Sequence, residues 1–149
     1  MDAFELSITI DRPIEEAFAV LANLEYDVKW HSAFVEVRNT SGGANGVGAR
    51  FLVFEGVLGR RTPGTEYEVT EYEPNRIAAW KTVSGPLPLT FRRTFERVES
   101  GTRFAVRYEG EPRGFLALAW PLITRMVKRQ HGGDMRKLKE LMEVRTLSV

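Results

Sequence analysis

The stretch from Gly114 to Val144, GFLALAWPLITRMVKRQHGGDMRKLKELMEV, constrains this chain more than any other. As one helix it would span roughly 45 Å at 1.5 Å per residue, enough to cross a small domain. With successive residues about 100° apart, Leu116, Trp120, Ile123, Val127, Leu138, Leu141 and Met142 gather on one side. Arg125, Arg129, Arg136, Lys137, Lys139, Glu140 and Glu143 fall largely outside that stripe. Such a helix needs a broad apolar surface to lie on, and the chain before it must supply one.

Two features interrupt the pattern. Pro121 lacks the amide hydrogen of an interior helical residue, which predicts a separate turn or kinked first segment over Gly114–Trp120. Gly132 and Gly133 each cost a helix roughly 1 kcal/mol against alanine. They lie between His131 and Asp134, two polar residues that the projection places on the apolar stripe. Either the helix bends there around a satisfied buried hydrogen bond, or a polar point faces a cavity under the helix.

Upstream, the periodicity is that of strands. FELSITI (4–10) alternates apolar and polar residues, then Asp11-Arg12-Pro13 switches the period, with Asp11 as a helix cap and Pro13 in the first turn. Ile14, Phe18 and Leu21 give a short helix that Asn23 ends, and YDVKWHSA (26–33) reads as a second short helix or turn. FVEVR (34–38), ARFLVFE (49–55), TEYEVTEY (65–72), RIAAWKTV (76–83), LTFRRTFERV (89–98) and TRFAVRY (102–108) follow as strands. The glycine-rich SGGANGVG (41–48) lacks the Gly-Lys-Ser/Thr of a phosphate loop and is expected to be a hairpin loop. GVLGRRTPG (56–64) is expected to be a second exposed hairpin, and SGPLP (84–88) a turn. Helices segregated from an antiparallel sheet make the chain α+β, and 149 residues without repeat or low-complexity segment are expected to form one domain.

Charge and composition exclude several classes. Net charge is +1, from 21 basic and 20 acidic residues, and the arginine pairs at 60–61 and 92–93 lie in no basic stripe, which argues against nucleic acid as a partner. The absence of cysteine removes disulfide and thiolate chemistry and, with an N-terminus lacking a basic and then apolar segment, predicts a cytoplasmic protein. The most apolar window, 115–123, is about half the length of a membrane span, so stable membrane insertion is not expected.

Several stretches in order resemble the START/Bet v 1-like superfamily, in particular its bacterial polyketide cyclase/dehydrase-type (SRPBCC) branch. ITIDRPIEEAFAVLANLEYDVKWHSAFVEV is similar to that family's first strand, helix pair and second strand. YEVTEYEPNRIAAWKTV resembles its strand–proline turn–strand unit, and FRRTFERVESGTRFAVRYEGEPRG its last hairpin. PLITRMVKRQHGGDMRKLKELME looks like its C-terminal helix. The resemblance implies a helix-grip fold, a curved antiparallel sheet wrapped around the long helix. It also implies a cavity between them for lipids, polyketides, quinones or other apolar molecules.

On that reading Leu116, Trp120, Ile123, Val127 and His131 roof the cavity. Tyr67 and Val69 share one face of their strand, as do Phe104, Val106 and Tyr108 of theirs, while Phe91, Arg93 and Phe95 alternate inward. Arg93 could orient a ligand carboxylate or carbonyl, pair with Glu71, or be exposed at the strand's end. Trp30 falls where the early helix pair borders the cavity mouth, and either packs or contacts a ligand; His31 is expected at the surface. With only two histidines a three-histidine metal site is impossible, and nothing signals a mixed His/carboxylate site, so no metal or cofactor is expected.

Members that cyclise aromatic polyketides carry a Trp-x-Ser/Thr-x-x-Arg-like cluster on a central strand, which TEYEVTEY lacks. No catalytic residue is therefore assigned. The expected function is binding or carriage of a small hydrophobic ligand by a monomer or homodimer. The alternative is a cyclase or dehydratase working through pocket shape and a polar group such as Arg93 or His131.

Overall fold

A computed structural model describes residues 2–57, 59–61, 63–84, 88–112, 114–144 and 147. Period-two alternation yields β1 (Asp2–Ile10), β2 (Phe34–Asn39), β3 (Arg50–Val57), a two-residue β4 (Arg60–Arg61), β5 (Thr65–Glu73), β6 (Ile77–Ser84), β7 (Leu89–Val98) and β8 (Gly101–Gly110). Every pairing is antiparallel, in the order β1-β8-β7-β6-β5-β3-β2, with β4 added to β3. The connection from β1 to β2 carries α1 (Ile14–Leu21) and a 3₁₀ helix (Leu24–Lys29), and α2 (Phe115–Glu143) ends the fold. This is the expected α+β helix-grip: a curled sheet holding a long C-terminal helix. The hairpin loop expected over 41–48 joins β2 to β3. Positions 85–87 of the turn expected over Ser84–Pro88 lie outside the described residues, as do Leu58 and Thr62 of the second hairpin.

Alternation decides which side chains enter the core. On β7, Phe91, Arg93 and Phe95 are buried between exposed Arg92 and Glu96; on β8, Thr102, Phe104, Val106 and Tyr108 are buried. Register sets Phe91 opposite Tyr108 and Trp80, and Phe95 opposite Phe104. α1 closes one end of this surface, its Phe18 ring meeting Phe95 and Tyr72 edge-on at 5.1 and 5.3 Å. Asp11 does not cap α1. The helix begins after Pro13 without a side-chain cap, and the Asp11 amide donates instead to the Glu143 carboxylate at 2.8 Å. Asn23 caps the 3₁₀ helix, its Oδ1 accepting from the Glu25 amide.

The two halves of α2 differ. In the C-terminal half Met135, Leu138 and Met142 are buried, and Lys139 donates to the Thr9 carbonyl at 2.6 Å, tying the helix to the end of β1. In the N-terminal half Phe115, Leu118, Leu122 and Met126 are exposed, while Trp120 is buried. Trp120 lies so close to β8 that a Cβ on Gly110 would come within 2.6 Å of its ring, so any larger residue there would have to displace the indole.

The separate segment expected before Pro121 does not form; α2 is continuous from Phe115. The missing amide deprives only the carbonyl four residues back, that of Ala117, which lies in an exposed turn open to water. Nor do the glycines break the helix: Cβ atoms at 132 and 133 would meet nothing nearer than the Arg136 guanidinium, at 3.9 and 3.8 Å.

Candidate functional site

Because α2 packs tightly only through its C-terminal half, a cavity of about 550 Å³ remains between its N-terminal half and the sheet. The helix contributes Trp120, Ile123, Val127 and His131, with Thr124 and Gln130 beside them. The sheet contributes Phe4, Tyr67, Phe91, Arg93 and Tyr108, and β3 supplies Glu55. His31 enters from the segment leading into β2, and Phe34 from the first position of that strand.

The fold thus brings Tyr67, Phe91, Arg93, Tyr108, Trp120, Ile123, Val127 and His131 to one cavity. It does not bring Trp30, Val69, Phe104 and Val106 to the wall; they are buried in the core. Phe104 packs on Phe95 at 5.4 Å, and Phe95 on α1, so that end of the sheet is filled by side chains. Leu116 is 38% exposed, on the overhanging first turn of α2, and is not part of the roof. An ideal projection over more than twenty residues accumulates angular drift, which misplaces the residue farthest from the reference at Leu138.

Arg93 is 1% exposed and does not pair with Glu71, which holds Arg92 instead at 3.1 Å. Its guanidinium forks onto Asp27 of the 3₁₀ helix, Nη1 to Oδ1 at 3.0 Å and Nη2 to Oδ2 at 2.5 Å, and Nη1 also donates to the Leu21 carbonyl at 2.8 Å. Trp30 and Trp80 lie 5.2 Å from the guanidinium carbon. Burial pushes the Asp27 carboxyl above its usual range while Arg93 opposes the shift.

Of the second polar group, the sequence marked His131 and Asp134 as polar points on the helix stripe but not His31 as their neighbour. His31 is buried rather than at the surface, its ring stacked on Phe34 at 3.9 Å and edge-on to His131 at 4.4 Å. His131 stacks in turn on Tyr108 at 4.9 Å. Asp134 Oδ2 lies 4.0 Å from Nδ1 of His31 and 3.9 Å from Nδ1 of His131, and accepts hydrogen bonds from the Ser32 amide and hydroxyl at 3.1 and 3.0 Å. Both alternatives for His131 and Asp134 therefore hold in part: Asp134 is a satisfied buried acceptor, and His131 faces the cavity. Burial, then the nearby His131 and Arg93, hold His31 well below the usual imidazole pKa; burial and then Arg93 lower His131 to about 4. Both rings are neutral at pH 7.

A third group joins Tyr67 to Glu55 by a hydrogen bond between their side chains. Burial raises the Glu55 carboxyl, and burial followed by the Glu55 charge raises the Tyr67 phenol. Burial likewise raises the Tyr108 phenol. Glu55, like Phe4 and Gln130, joins the wall without having been singled out by pattern, because its place depends on sheet curvature.

Comparison with known proteins gives the geometry a family. No curated protein matches the sequence. Among solved structures, NE0264 from Nitrosomonas europaea is similar at 15% identity with a TM-score of 0.77, covering 98% of this chain and 99% of that one. The di-domain ARO/CYC StfQ from the steffimycin biosynthetic pathway is 16% identical with a TM-score of 0.77, over 97% of this chain and 51% of that one. Ara h 8.0201 is 17% identical with a TM-score of 0.70, over 93% and 95%. At such identities these likenesses show the fold alone. The family model for polyketide cyclase/dehydrase and lipid transport matches residues 1–143, and with the helix-grip architecture this places the chain in that family of the Bet v 1-like (SRPBCC) superfamily.

Proposed function

We propose that this protein binds a hydrophobic, ring-containing small molecule bearing at least one oxygen in the cavity beneath α2. The observation that carries the reading is the wall itself: about 550 Å³, within the range of roughly 300–1,000 Å³ usual for small-molecule pockets, faced by Phe4, Phe91, Tyr108 and Trp120. Aromatic faces reward a flat ring more than a flexible chain. His31, His131 and the Tyr67–Glu55 pair supply the few polar groups that would fix its orientation.

Native mass spectrometry of the purified protein, followed by denaturing extraction, tests this. Recovery of a retained aromatic or polycyclic molecule, or displacement of an apolar dye by such a molecule at micromolar concentration, is the expected result. A chain that retains nothing and binds no dye or ring compound removes the proposal. A cyclase or dehydratase remains the second reading, favoured by two imidazoles on the cavity wall, which burial keeps neutral and so able to accept a hydrogen bond or a proton from a bound molecule. Conversion of a bound polyketide-like substrate that is lost in His131→Gln, with binding retained, would support it.

A further inference from the structure

We propose that His31, His131 and Asp134 form a binding site for one divalent first-row transition-metal ion, open on its remaining side to the cavity. One ligand atom from each residue lies within 4.8 Å of the others, and all three residues are buried. Neither imidazole is hydrogen-bonded to the carboxylate, since the Nδ1–Oδ2 distances are 4.0 and 3.9 Å. The three groups converge on a point without consuming one another.

The Nδ1 of His31 is the telling atom. It is buried, points toward Asp134 and has no hydrogen-bond partner of ordinary geometry among the described residues. A buried polar atom without a partner keeps a desolvation cost that nothing repays, and a ligand at that point would offset it. Closure is short: donors around an ion about 2.0–2.1 Å from each stand roughly 3.4 Å apart in a tetrahedral site, so movements of about 1 Å suffice.

The surroundings already hold the donors in place. Phe34 clamps the His31 ring and Tyr108 the His131 ring. Ser32 gives Asp134 two hydrogen bonds and receives one from Gln130 Nε2 at 2.9 Å, an outer shell of the kind that orients a metal-bound carboxylate. Two imidazoles and one carboxylate suit zinc or iron(II) rather than calcium or magnesium, which prefer oxygen. Three protein ligands leave coordination positions free, and His31 and His131 both line the cavity, so those positions face whatever the cavity holds. An ion there would polarise an oxygen atom of that molecule. The site itself does not depend on the cavity's natural occupant.

The test uses the full chain without an affinity tag, stripped with chelator and titrated with Co²⁺ alone. The chain has two histidines and no cysteine, so a nitrogen-ligated cobalt spectrum can arise from few places. The expected result is one Co²⁺ per chain, displaced one-for-one by Zn²⁺, with hyperfine-shifted imidazole resonances from both histidines in the unaltered protein. His31→Gln and Asp134→Asn should each weaken binding at least about 100-fold, and Ser32→Ala about tenfold, as expected for a residue that orients a ligand. Absence of stoichiometric binding, or cobalt that shifts neither or only one histidine, overturns the proposal. Because the resonance measurement needs no variant, it decides the matter even if a substitution at these buried positions fails to fold.

Discussion

At the scale of single residues, the fold stakes most on Arg93 and Asp27, 1% and 0% exposed. Two charges removed from water are stable together and costly apart. Arg93→Met or Asp27→Leu alone should destabilise the protein by about 3–5 kcal/mol, while the double variant should recover much of that loss; chemical denaturation of all four proteins measures the cycle. Glu55 gives a prediction with a definite sign. Its carboxyl is raised by burial, so between the unfolded and folded pKa values the folded state holds the proton and the unfolded state does not. Stability contributed by this group is therefore present at low pH and lost as pH rises through that interval. Glu55→Gln, which keeps an acceptor for Tyr67, should gain stability relative to the natural chain as pH increases from 4 to 7, read by thermal unfolding across pH.

Elements add what residues cannot show. Period two on β7 and β8 announced the inward row of Phe91, Arg93 and Phe95 and the facing Phe104, Val106 and Tyr108, because alternation is a local property of a pleated strand. The stripe on α2 was equally legible, but it could not reveal that only one half of the helix presses on the sheet. Leu138→Ala, in the tied half, should cost about 2–5 kcal/mol, whereas Leu118→Gln, on the exposed face, should change stability by no more than about 0.5 kcal/mol in urea unfolding. Gly110→Ala should push the Trp120 ring away from β8 and into the cavity. The expected readouts are a shifted tryptophan emission and at least a tenfold loss of dye affinity with little change in fold by circular dichroism.

At the scale of the whole molecule, the packed end and the hollow end belong to one sheet, so filling the cavity should stabilise the entire structure. A ligand at 100 times its Kd adds about 2.7 kcal/mol to unfolding, and the thermal midpoint should rise with ligand concentration in a single cooperative transition. No helix among the described residues is long and apolar enough to cross a membrane.

The sequence by itself determined the alternation of the strands, the turns that separate them, the amphipathic C-terminal helix and hence the α+β class. These follow from periodicity and turn chemistry acting over a few residues. Only the tertiary structure decided that Asp27, not Glu71, neutralises Arg93, that Leu116 overhangs the sheet, and that His31 is buried beside His131 and Asp134. These contacts join distant positions: Asp27 and Arg93 are 66 residues apart, and Ser32, the neighbour of His31, bonds Asp134 across 102. No local pattern encodes them, because such contacts depend on how far the sheet curls and where the helix crosses it.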